Sequence, residues 1–414
     1  MSESIPEGWE IKKLGEIGRF STSSVDKKVN TNEKTVNLLN YMDIYNNSTL
    51  DNQYSFQLVT ANQKQISSSN VLSGDIFFTP SSENPDDIGH SAVFVGDIKN
   101  LVHSYHTIRY RTYSSEEFEE AFKAYAFKSN ETYLYFRKMA QGSTRFTLSL
   151  PAFEELQILI PTIPEQKKIA SILTSVDEVI VKTQSQIEKL QDLKKGMMNE
   201  LLTKGIGHTE FKDSELGRIP KNWTINNLKK FCKKVDKKYH GNNHIPVLSV
   251  TKHAGFVNSL EYFKKQVFSK DLKSYKLVAK GQFAYATIHL DEGSLGLLKE
   301  YDFGLISPMY TVFETNDDIN NDYLFMLMKS DIFMKKYHTI GQGSIDRRMT
   351  ISFDSLSQLK MCFPTLKEQN EIVRITNQIN KNINLSIKKL NQTQSLKKSL
   401  MQDLLTGKVR VQVK

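Results

Sequence analysis

The chain of 414 residues contains little cysteine, and its two cysteines, Cys232 and Cys362, lie far apart. A disulfide framework or a cysteine metal site is therefore not expected, and this usage fits a reducing compartment. No apolar run approaches the roughly 18–20 residues that a membrane span needs. The opening residues 1–6 have neither a basic nor an apolar segment, so we expect no signal peptide and a cytoplasmic location.

Catalytic motifs are missing as well. The sequence has no glycine-rich phosphate loop followed by Lys-Ser or Lys-Thr, no dinucleotide-binding glycine fingerprint, no His-Glu-x-x-His and no Cys-x-x-Cys. Asn84-Pro85 matches only the start of the Asn-Pro-Pro-aromatic motif of amino-group DNA methyltransferases and is better explained as a turn. His90, His103 and His106 fit no common metal-site spacing. We expect no catalytic residue, no metal and no cofactor in this chain.

Positive charge is unevenly distributed along the chain, which has a formal net charge of +9. Residues 1–160 carry 15 Lys/Arg and 20 Asp/Glu, whereas residues 211–363 carry 23 and 16. The excess favours a polyanionic partner, with a solvated lysine-rich surface as the alternative. If the partner is DNA, the first region must concentrate its basic residues locally.

What the sequence does contain is a duplication. The opening Pro6-Glu-Gly-Trp9 recurs as Pro220-Lys-Asn-Trp223. Further matches all share a shift of 203 residues: Pro161-Thr162 with Pro364-Thr365, Glu165-Gln166 with Glu368-Gln369, Lys194-Lys195 with Lys397-Lys398, and Leu201-Leu202-Thr203 with Leu404-Leu405-Thr406. A duplicated chain predicts a pseudo-symmetric molecule, which suits a target with two similar halves.

Two of the duplicated segments predict long helices. Apolar residues recur every seven positions after Pro164 and after Leu366, a pattern typical of a supercoiled seam. Each helix would be about 57 Å long, mostly polar, and unstable without a partner. We predict antiparallel pairing, although each helix packing only on its own domain is an alternative. The seam residues are Ile169, Leu173, Val176, Ile180, Ile187, Leu190, Met197, Leu201, Ile372, Ile379, Ile383, Leu390, Leu400 and Leu404.

The remaining segments predict an α+β fold. Short apolar stretches broken by Gly, Asn, Asp and Ser lack the strict βαβ alternation of a doubly wound sheet. The predicted fold is therefore two duplicated globular α+β domains separated by two long helices that form an antiparallel coiled coil. Its segments are a first domain at 1–160, a first helical region at 161–204, a connector at 205–219, a second domain at 220–363, a second helical region at 364–407 and a tail at 408–414.

These motifs together resemble the specificity subunit of type I restriction-modification systems. The resemblance rests on the Pro-x-x-Trp-x-x-x-x-Leu openings, the Pro-Thr-x-x-Glu-Gln helix entries, the Leu-Leu-Thr helix ends and the connector, and it covers the whole chain. It implies that each domain is a target recognition domain reading half of a bipartite DNA site, while the helices set the spacer. It also implies two methyltransferase subunits and an endonuclease/translocase subunit as partners, which would bind S-adenosylmethionine, ATP and Mg²⁺.

Polar and basic residues in turn-like segments are the predicted DNA contacts. Arg and Gln can bond guanine and adenine edges, whereas Lys mostly meets phosphate. A Gln-Gly-Ser sequence occurs in both domains, with a plain turn as the alternative explanation. The candidates in the first domain are Lys27, Lys28, Asn30, Ser81, Ser82, Asn84, Gln141, Ser143, Thr144 and Arg145. Those in the second are Lys237, Lys238, His240, Thr287, His289, Gln342, Ser344, Arg347 and Arg348.

Two other functions stay open at this point. One is a coiled-coil assembly protein with no role on DNA. The other is an autonomous DNA methyltransferase, against which the missing catalytic and cofactor motifs count.

Overall fold

The structure is a computed structural model that describes residues 5–114, 116–239, 245–341 and 350–413. The chain divides into two compact units, which we call unit 1 (Met1–Ser185 and Ile387–Lys414) and unit 2 (Gln186–Ser386). Each unit therefore combines one globular domain with the first part of one long helix and the last part of the other. This division crosses both predicted helical regions.

Unit 1 has a mixed domain of short strands and helices. Its strands are β1 (Glu10–Lys13), β2 (Gly18–Thr22), β3 (Lys34–Leu39), β4 (Thr49–Asp51), β5 (Gln57–Ala61), β6 (Ile76–Phe78), β7 (Ser81–Ser82), β8 (Ser91–Val95), β9 (Leu101–His103), β10 (Ile108–Thr112), β11 (Phe146–Thr147) and β12 (Gln157–Ile160). Its short α-helices are α1 (Leu14–Ile17), α2 (Tyr41–Asn46), α3 (Gln63–Ser68), α4 (Asn130–Met139) and α5 (Leu150–Glu154).

The main sheet of unit 1 has the strand order β2-β10-β6-β8-β4, and a smaller sheet has the order β5-β3-β9. Strand β6 is central, and all three of its residues are buried. Because side chains alternate along a strand, Ile76 and Phe78 enter one apolar core while Phe77 enters another. The first of these cores also contains Leu173 and Leu404 of the long helices, so the domain packs directly on them.

Unit 2 repeats this design around its own central strand. Its strands are β13 (Phe211–Lys212), β14 (Ile219–Pro220), β15 (Thr224–Asn227), β16 (Cys232–Val235), β17 (Leu248–Thr251), β18 (Gly255–Asn258), β19 (Lys276–Ala279), β20 (Phe283–Ala286), β21 (Leu295–Leu297), β22 (Phe303–Ile306), β23 (Tyr310–Thr315) and β24 (Lys360–Phe363). Its short α-helices are α7 (Ser259–Phe263), α8 (Asn321–Met328), α9 (Asp331–Ile340) and α10 (Phe353–Ser357).

The main sheet of unit 2 has the order β16-β23-β20-β21. On β20, Phe283 and Tyr285 enter a core shared with Leu201 and Ile372 of the long helices, while Ala284 faces the opposite core. Both domains therefore use one face of the sheet to hold the helices. The other face supports a separate small core.

The two long helices run from Ile163 to Thr203 and from Leu366 to Leu405 and are labelled α6 and α11. All fourteen predicted seam residues are buried or half-buried. In unit 1 an ion pair of 2.5 Å joins Asp177 of α6 to Lys397 of α11. In unit 2 the Thr376 hydroxyl of α11 bonds the Met198 sulfur of α6 at 3.4 Å.

These contacts connect early positions of one helix to late positions of the other, so the helices run antiparallel. The predicted fold class, α+β domains with two paired long helices, is thus confirmed. Within the described residues no helix is both long and apolar enough to cross a membrane.

The duplicated motifs have a physical role at the start of each long helix. The Trp9 indole N–H donates to the Glu165 carboxylate at 2.9 Å, and the Trp223 indole N–H donates to Glu368 at 3.2 Å. A nitrogen-bearing side chain completes each contact: Arg410 bonds Glu165 at 2.8 Å, and His208 bonds Glu368 at 2.8 Å. Burial acts to raise the pKa of Glu165, but bonds from Arg410, Thr162 and Trp9 outweigh it and hold that pKa below 4.5.

The glutamine that follows each of these glutamates holds the helix entry in place. Gln166 donates to the Pro161 carbonyl at 2.9 Å and accepts from the Glu119 N–H at 2.8 Å. Gln369 donates to the Pro364 carbonyl at 3.1 Å and accepts from the Asn320 N–H at 2.9 Å. The Glu-Gln pair therefore fixes domain and helix together in each unit.

Candidate nucleic-acid interface

A tight hairpin in unit 1 presents the predicted segment from Gln141 to Arg145. The Gln141 N–H donates to the Thr147 carbonyl at 3.0 Å, and the Thr147 N–H donates back at 2.9 Å. Gly142 has a φ of +135°, and a Cβ there would lie 2.1 Å from the Arg145 carbonyl oxygen. Glycine is therefore required at this turn. The exposed residues of the hairpin include Gln141, Ser143, Thr144 and Arg145.

Strand pairing brings this hairpin to the predicted residues Ser81 and Ser82. Strand β11 pairs with β7, so that Phe146 lies opposite Ser82. An Arg145 guanidinium N–H donates to the Ser81 hydroxyl at 3.1 Å, and the Tyr41 hydroxyl donates to the Ser81 carbonyl at 2.9 Å. Ser81 is buried and orients its neighbours. The hydrogen bond to Ser81 uses one of the five guanidinium N–H groups of Arg145, and the others can bond a base edge or a phosphate.

His106 lies within the electrostatic reach of two predicted cations, Lys27 and Arg145. The pKa of His106 is lowered by burial and then by the positive charges of Arg145 and Lys27. His106 is therefore mostly neutral at pH 7, where it can donate and accept a hydrogen bond. Its ring lies 3.8 Å from that of Tyr105, which is 49% exposed. Sequence reasoning missed both residues because it weighed His106 only for a metal site and gave Tyr105 no role.

A second aromatic group lies beside the same face. Tyr41 and Tyr45, four residues apart on α2, stack with ring centroids 6.2 Å apart, and the Tyr45 ring lies 4.7 Å from that of His90. Asp87 accepts from the Tyr45 hydroxyl at 3.1 Å and pairs with His90 at 2.7 Å. These aromatics can stack on bases, and their helical spacing was the available sequence signal.

Three predicted residues of unit 1 form ion pairs or hydrogen bonds with residues close in sequence. Lys28 pairs with Asp26 at 3.7 Å, and the Asn30 amide donates to Glu33 at 3.1 Å. The Asn84 side chain accepts from the Asp86 N–H at 3.0 Å and so forms an Asx turn. All three remain exposed, but the structure places none of them in the contacts that join Ser81, Arg145 and His106.

In unit 2 the predicted residues Thr287 and His289 line a groove of about 270 Å³. The groove also holds exposed apolar side chains, Val267 and Met309, next to the half-buried Tyr310. His289 pairs with Glu292 at 3.1 Å, and the Thr287 carbonyl accepts from the Ile351 N–H at 2.9 Å. Sequence reasoning missed Met309 and Tyr310 because it selected polar and basic residues in turns, whereas these two bring an apolar and an aromatic side chain to the turn after β22.

Lys237 and Lys238 border this groove. The Lys237 carbonyl accepts from the Leu277 N–H at 2.8 Å, and Lys238 forms an isolated bridge with Lys276. Their strand neighbour Tyr275 lines the groove itself. The structure thus places Thr287 and His289 in one groove and the predicted lysines beside the segment that contains Tyr275. Five predicted residues of unit 2 lie outside the described residues, so their roles stay predictions: His240, Gln342, Ser344, Arg347 and Arg348.

In the part of the chain that the structure describes, no group of His, Cys, Asp and Glu side chains could hold a metal ion. His103 is a core residue whose Nδ1 lies 3.0 Å from the Thr107 hydroxyl. Burial, followed by the charges of Arg109 and Arg111, lowers the pKa of His103 to about 3.

Comparisons with known proteins agree with this architecture. Residues 6–192 match the family described as type I restriction modification DNA specificity domain. Over 98% of its length the chain is 26% identical to the putative type I restriction enzyme MjaX specificity subunit of Methanocaldococcus jannaschii, and the match covers 95% of that protein. It is 27% identical to the MjaVIII specificity subunit of the same organism, again over 98% of the chain and 94% of the relative.

Solved structures show the same fold at low identity. A chain from a structural study of complex assembly and conformational transition of the type I R-M system matches with a TM-score of 0.61 and 14% identity, over 98% of this chain and 100% of that one. The HsdS subunit from Thermoanaerobacter tengcongensis matches with a TM-score of 0.51 and 14% identity, over 99% of both chains. Residues 6–192 are thus similar to the specificity domain, and almost the whole chain is similar to two specificity subunits of type I restriction enzymes.

Proposed function

We propose that this chain reads a bipartite DNA site, one half through each unit, and holds the other subunits of a type I restriction-modification complex. The observation that carries the proposal is the duplication of one design. Each unit has a polar and aromatic face on a domain that a Trp–Glu contact joins to a long helix. Two readers of similar construction suit a target with two similar parts.

In unit 1 the proposed reading group is Arg145 with His106, Tyr105 and Tyr41. Arg145 supplies guanidinium donors for a guanine edge, and Lys27 lies close enough to meet a phosphate. In unit 2 the proposed group is the groove that contains Thr287, His289 and Tyr310, with Lys237 and Lys238 at its border. The different chemistry of the two faces supports two different half-sites.

The proposed partners are two methyltransferase subunits and an endonuclease/translocase subunit. Those subunits would bind S-adenosylmethionine, ATP and Mg²⁺ and carry out the chemistry. A methyltransferase that acts on a base must flip it out of the helix and enclose it, and this chain offers reading surfaces instead. Methyl transfer by the purified chain without partners would contradict the proposal and favour an autonomous methyltransferase.

Exchanging one recognition domain tests the proposal directly. Residues 211–363 are replaced by the corresponding domain of another specificity subunit, and the methylome of a host carrying the complete system is sequenced. One half of the methylated site should change while the other half and the spacer remain. A swap that altered both halves would show that the two units do not read independently.

Lengthening a long helix tests the proposed spacer role. Four residues inserted near Leu201 add about 6 Å of helix, on the order of two base pairs of DNA. The methylated sites should keep their bases and gain spacer length. A changed base identity with an unchanged spacer would contradict the role of the helices as a ruler.

A further inference from the structure

Unit 2 contains a groove of about 440 Å³ between its domain and its helical segments. Its floor is apolar and includes Met198, Leu202 and Phe325. Its charged lining consists of four lysines and two aspartates: Lys194, Lys195, Lys299, Lys329, Asp322 and Asp331. Lys299 pairs with Asp322, and the Lys329 ammonium donates to the Gly293 carbonyl at 2.8 Å. Among the described residues, neither Lys194 nor Lys195 has an ion-pair partner.

The duplication shows what fills the corresponding place in unit 1. The shift of 203 residues relates Lys194 to Lys397 and Asn380 to Asp177. In unit 1 the Asp177 carboxylate pairs with Lys397 at 2.5 Å and accepts from the Tyr125 hydroxyl at 2.9 Å. Lys397 also lies 5.8 Å above the Tyr125 ring. A carboxylate therefore neutralises this lysine in unit 1.

In unit 2, different residues occupy the positions that correspond to these partners of Lys397. Ser129 is the N-cap residue of α4, and Ser330 is the N-cap residue of α9. When the two helices are aligned on these serines, Tyr125 corresponds to Met326 and Glu131 to Ile332. In unit 1 the Gln402 amide donates to Glu131 at 2.7 Å and helps to close the surface. In unit 2 the corresponding Asn199 and Ile332 both line the groove. Unit 1 has the carboxylates of Asp177 and Glu131 and the phenol of Tyr125. At the corresponding positions unit 2 has the amide of Asn380, the alkyl side chain of Ile332 and the thioether of Met326.

We propose that this groove of unit 2 seats a carboxylate side chain, with an apolar side chain beside it, from a partner protein of the complex. The inference rests on the proposed function, because it assumes that the chain assembles with other subunits. The partner carboxylate takes the place that Asp177 has in unit 1 and pairs with Lys194. The apolar neighbour covers Met198 and Phe325.

Charge and polarity favour a protein over DNA as the occupant. Proteins hold phosphates mainly through Arg, Lys, hydroxyl and backbone N–H groups on polar surfaces. An apolar floor lined by lysines and aspartates instead matches the mixed apolar and charged composition of protein interfaces. The volume has room for several side chains. A phosphate in the groove is a distinct outcome of the experiment below.

The test measures the affinity of variants for the methyltransferase subunit of the same system by isothermal titration calorimetry. Lys194→Glu reverses the charge of the groove, and Asn380→Asp supplies the missing carboxylate from within the chain. The matched controls are Lys189→Glu and Asn384→Asp, which make the same changes at exposed positions outside the groove lining. Both groove variants should weaken binding about tenfold or more, whereas the controls should stay within about twofold.

Asn380→Asp keeps the test decisive if Lys194→Glu fails to fold, because it adds a carboxylate beside a lysine. Groove variants that bind like their controls would overturn the inference while leaving the proposed function standing. A wild-type chain that binds no methyltransferase would overturn both. A loss of affinity for a random-sequence duplex in Lys194→Glu, with unchanged affinity for the subunit, would overturn the protein occupant and assign the groove to a phosphate.

Discussion

The two units keep the same contact at the start of each long helix and differ at almost every surface that could meet a ligand. Trp9 with Glu165 and Trp223 with Glu368 make the same indole-to-carboxylate bond. Away from that contact, Asp177 of unit 1 becomes Asn380 of unit 2. The comparison separates what a duplicated fold must retain for stability from what it can change for recognition.

The reading faces diverge in the same way. Unit 1 offers an arginine, a neutral histidine and stacked tyrosines within a domain that is net acidic. Unit 2 offers a groove with exposed apolar side chains near Lys237 and Lys238, and residues 211–363 carry 23 Lys/Arg against 16 Asp/Glu. Because residues 1–160 carry a net negative charge, the proposed DNA contacts of unit 1 depend on a small basic cluster, whereas those proposed for unit 2 can draw on more lysines.

The largest expected effect comes from breaking the shared cores. Leu173 and Ile372 are fully buried, the first in unit 1 and the second in unit 2. Leu173→Ala and Ile372→Ala should each lower the free energy of unfolding by about 2–5 kcal/mol, because each leaves a cavity beside the domain. Leu385→Ala, at a position 56% exposed, should change it by less than about 0.5 kcal/mol. Calorimetric melting checks all three, and equal effects would contradict the packing.

A smaller effect should follow from Glu165→Gln, which keeps a hydrogen-bond acceptor for Trp9 but loses the charge that faces Arg410. We expect a loss of about 1–3 kcal/mol at pH 7. The pKa of Glu165 is lowered in the folded state. Its contribution is therefore present above about pH 4.5 and is lost as pH falls through the folded pKa.

The wild type and Glu165→Gln should thus converge in melting temperature as the solution becomes strongly acidic. Glu188→Gln, a change at an exposed glutamate of the same helix, serves as the control and should have little effect at any pH. A difference between wild type and Glu165→Gln that persisted unchanged below pH 3 would argue against the charge as its cause.

Much of the fold could be predicted because its signals are local or duplicated. The seven-residue period and the recurrence of Glu165-Gln166 as Glu368-Gln369 are both visible along the chain. The candidate site depended on long-range pairing instead. Ser81 and Arg145 are 64 residues apart and meet only because β7 pairs with β11. Two-residue strands carry no recognisable alternation, so the sequence could not predict that pairing.

The third prediction compares two cations of unit 1 on DNA. Arg145→Ala should cost about 1–3 kcal/mol on the cognate site and relax the choice of one base in one half-site. Lys27→Ala should weaken binding to all duplexes alike and reduce the slope of log K against log salt by about one. Fluorescence anisotropy of the assembled complex at several salt concentrations measures both. Identical effects of the two variants on specificity would contradict their separate roles.

The smallest expected effect concerns Lys128 and its counterpart Lys329. Burial, followed by the charge of Lys397, lowers the pKa of Lys128 to about 7, and its ammonium donates to the Ser48 hydroxyl at 2.5 Å. A lysine with a lowered folded pKa makes the protein less stable as pH falls from 10.5 towards 7, because the unfolded chain binds the proton first. Lys128→Met removes this penalty. Since the side chain as a whole is only half-buried, we expect a gain of about 1 kcal/mol at pH 7.

That gain should shrink as pH rises towards 10.5 and vanish above it, where both states of the wild type carry a neutral lysine. Lys329 also has a pKa lowered by burial and by Lys252, but it donates to the carbonyls of Lys252 and Gly293. Lys329→Met would leave both carbonyls without this donor, so it should gain nothing and can destabilise the protein. Melting temperatures of the two variants between pH 6 and 10 check the comparison. Equal gains at pH 7 would mean that the two carbonyl bonds of Lys329 contribute nothing, and a constant gain for Lys128→Met across this range would rule out its titration as the cause.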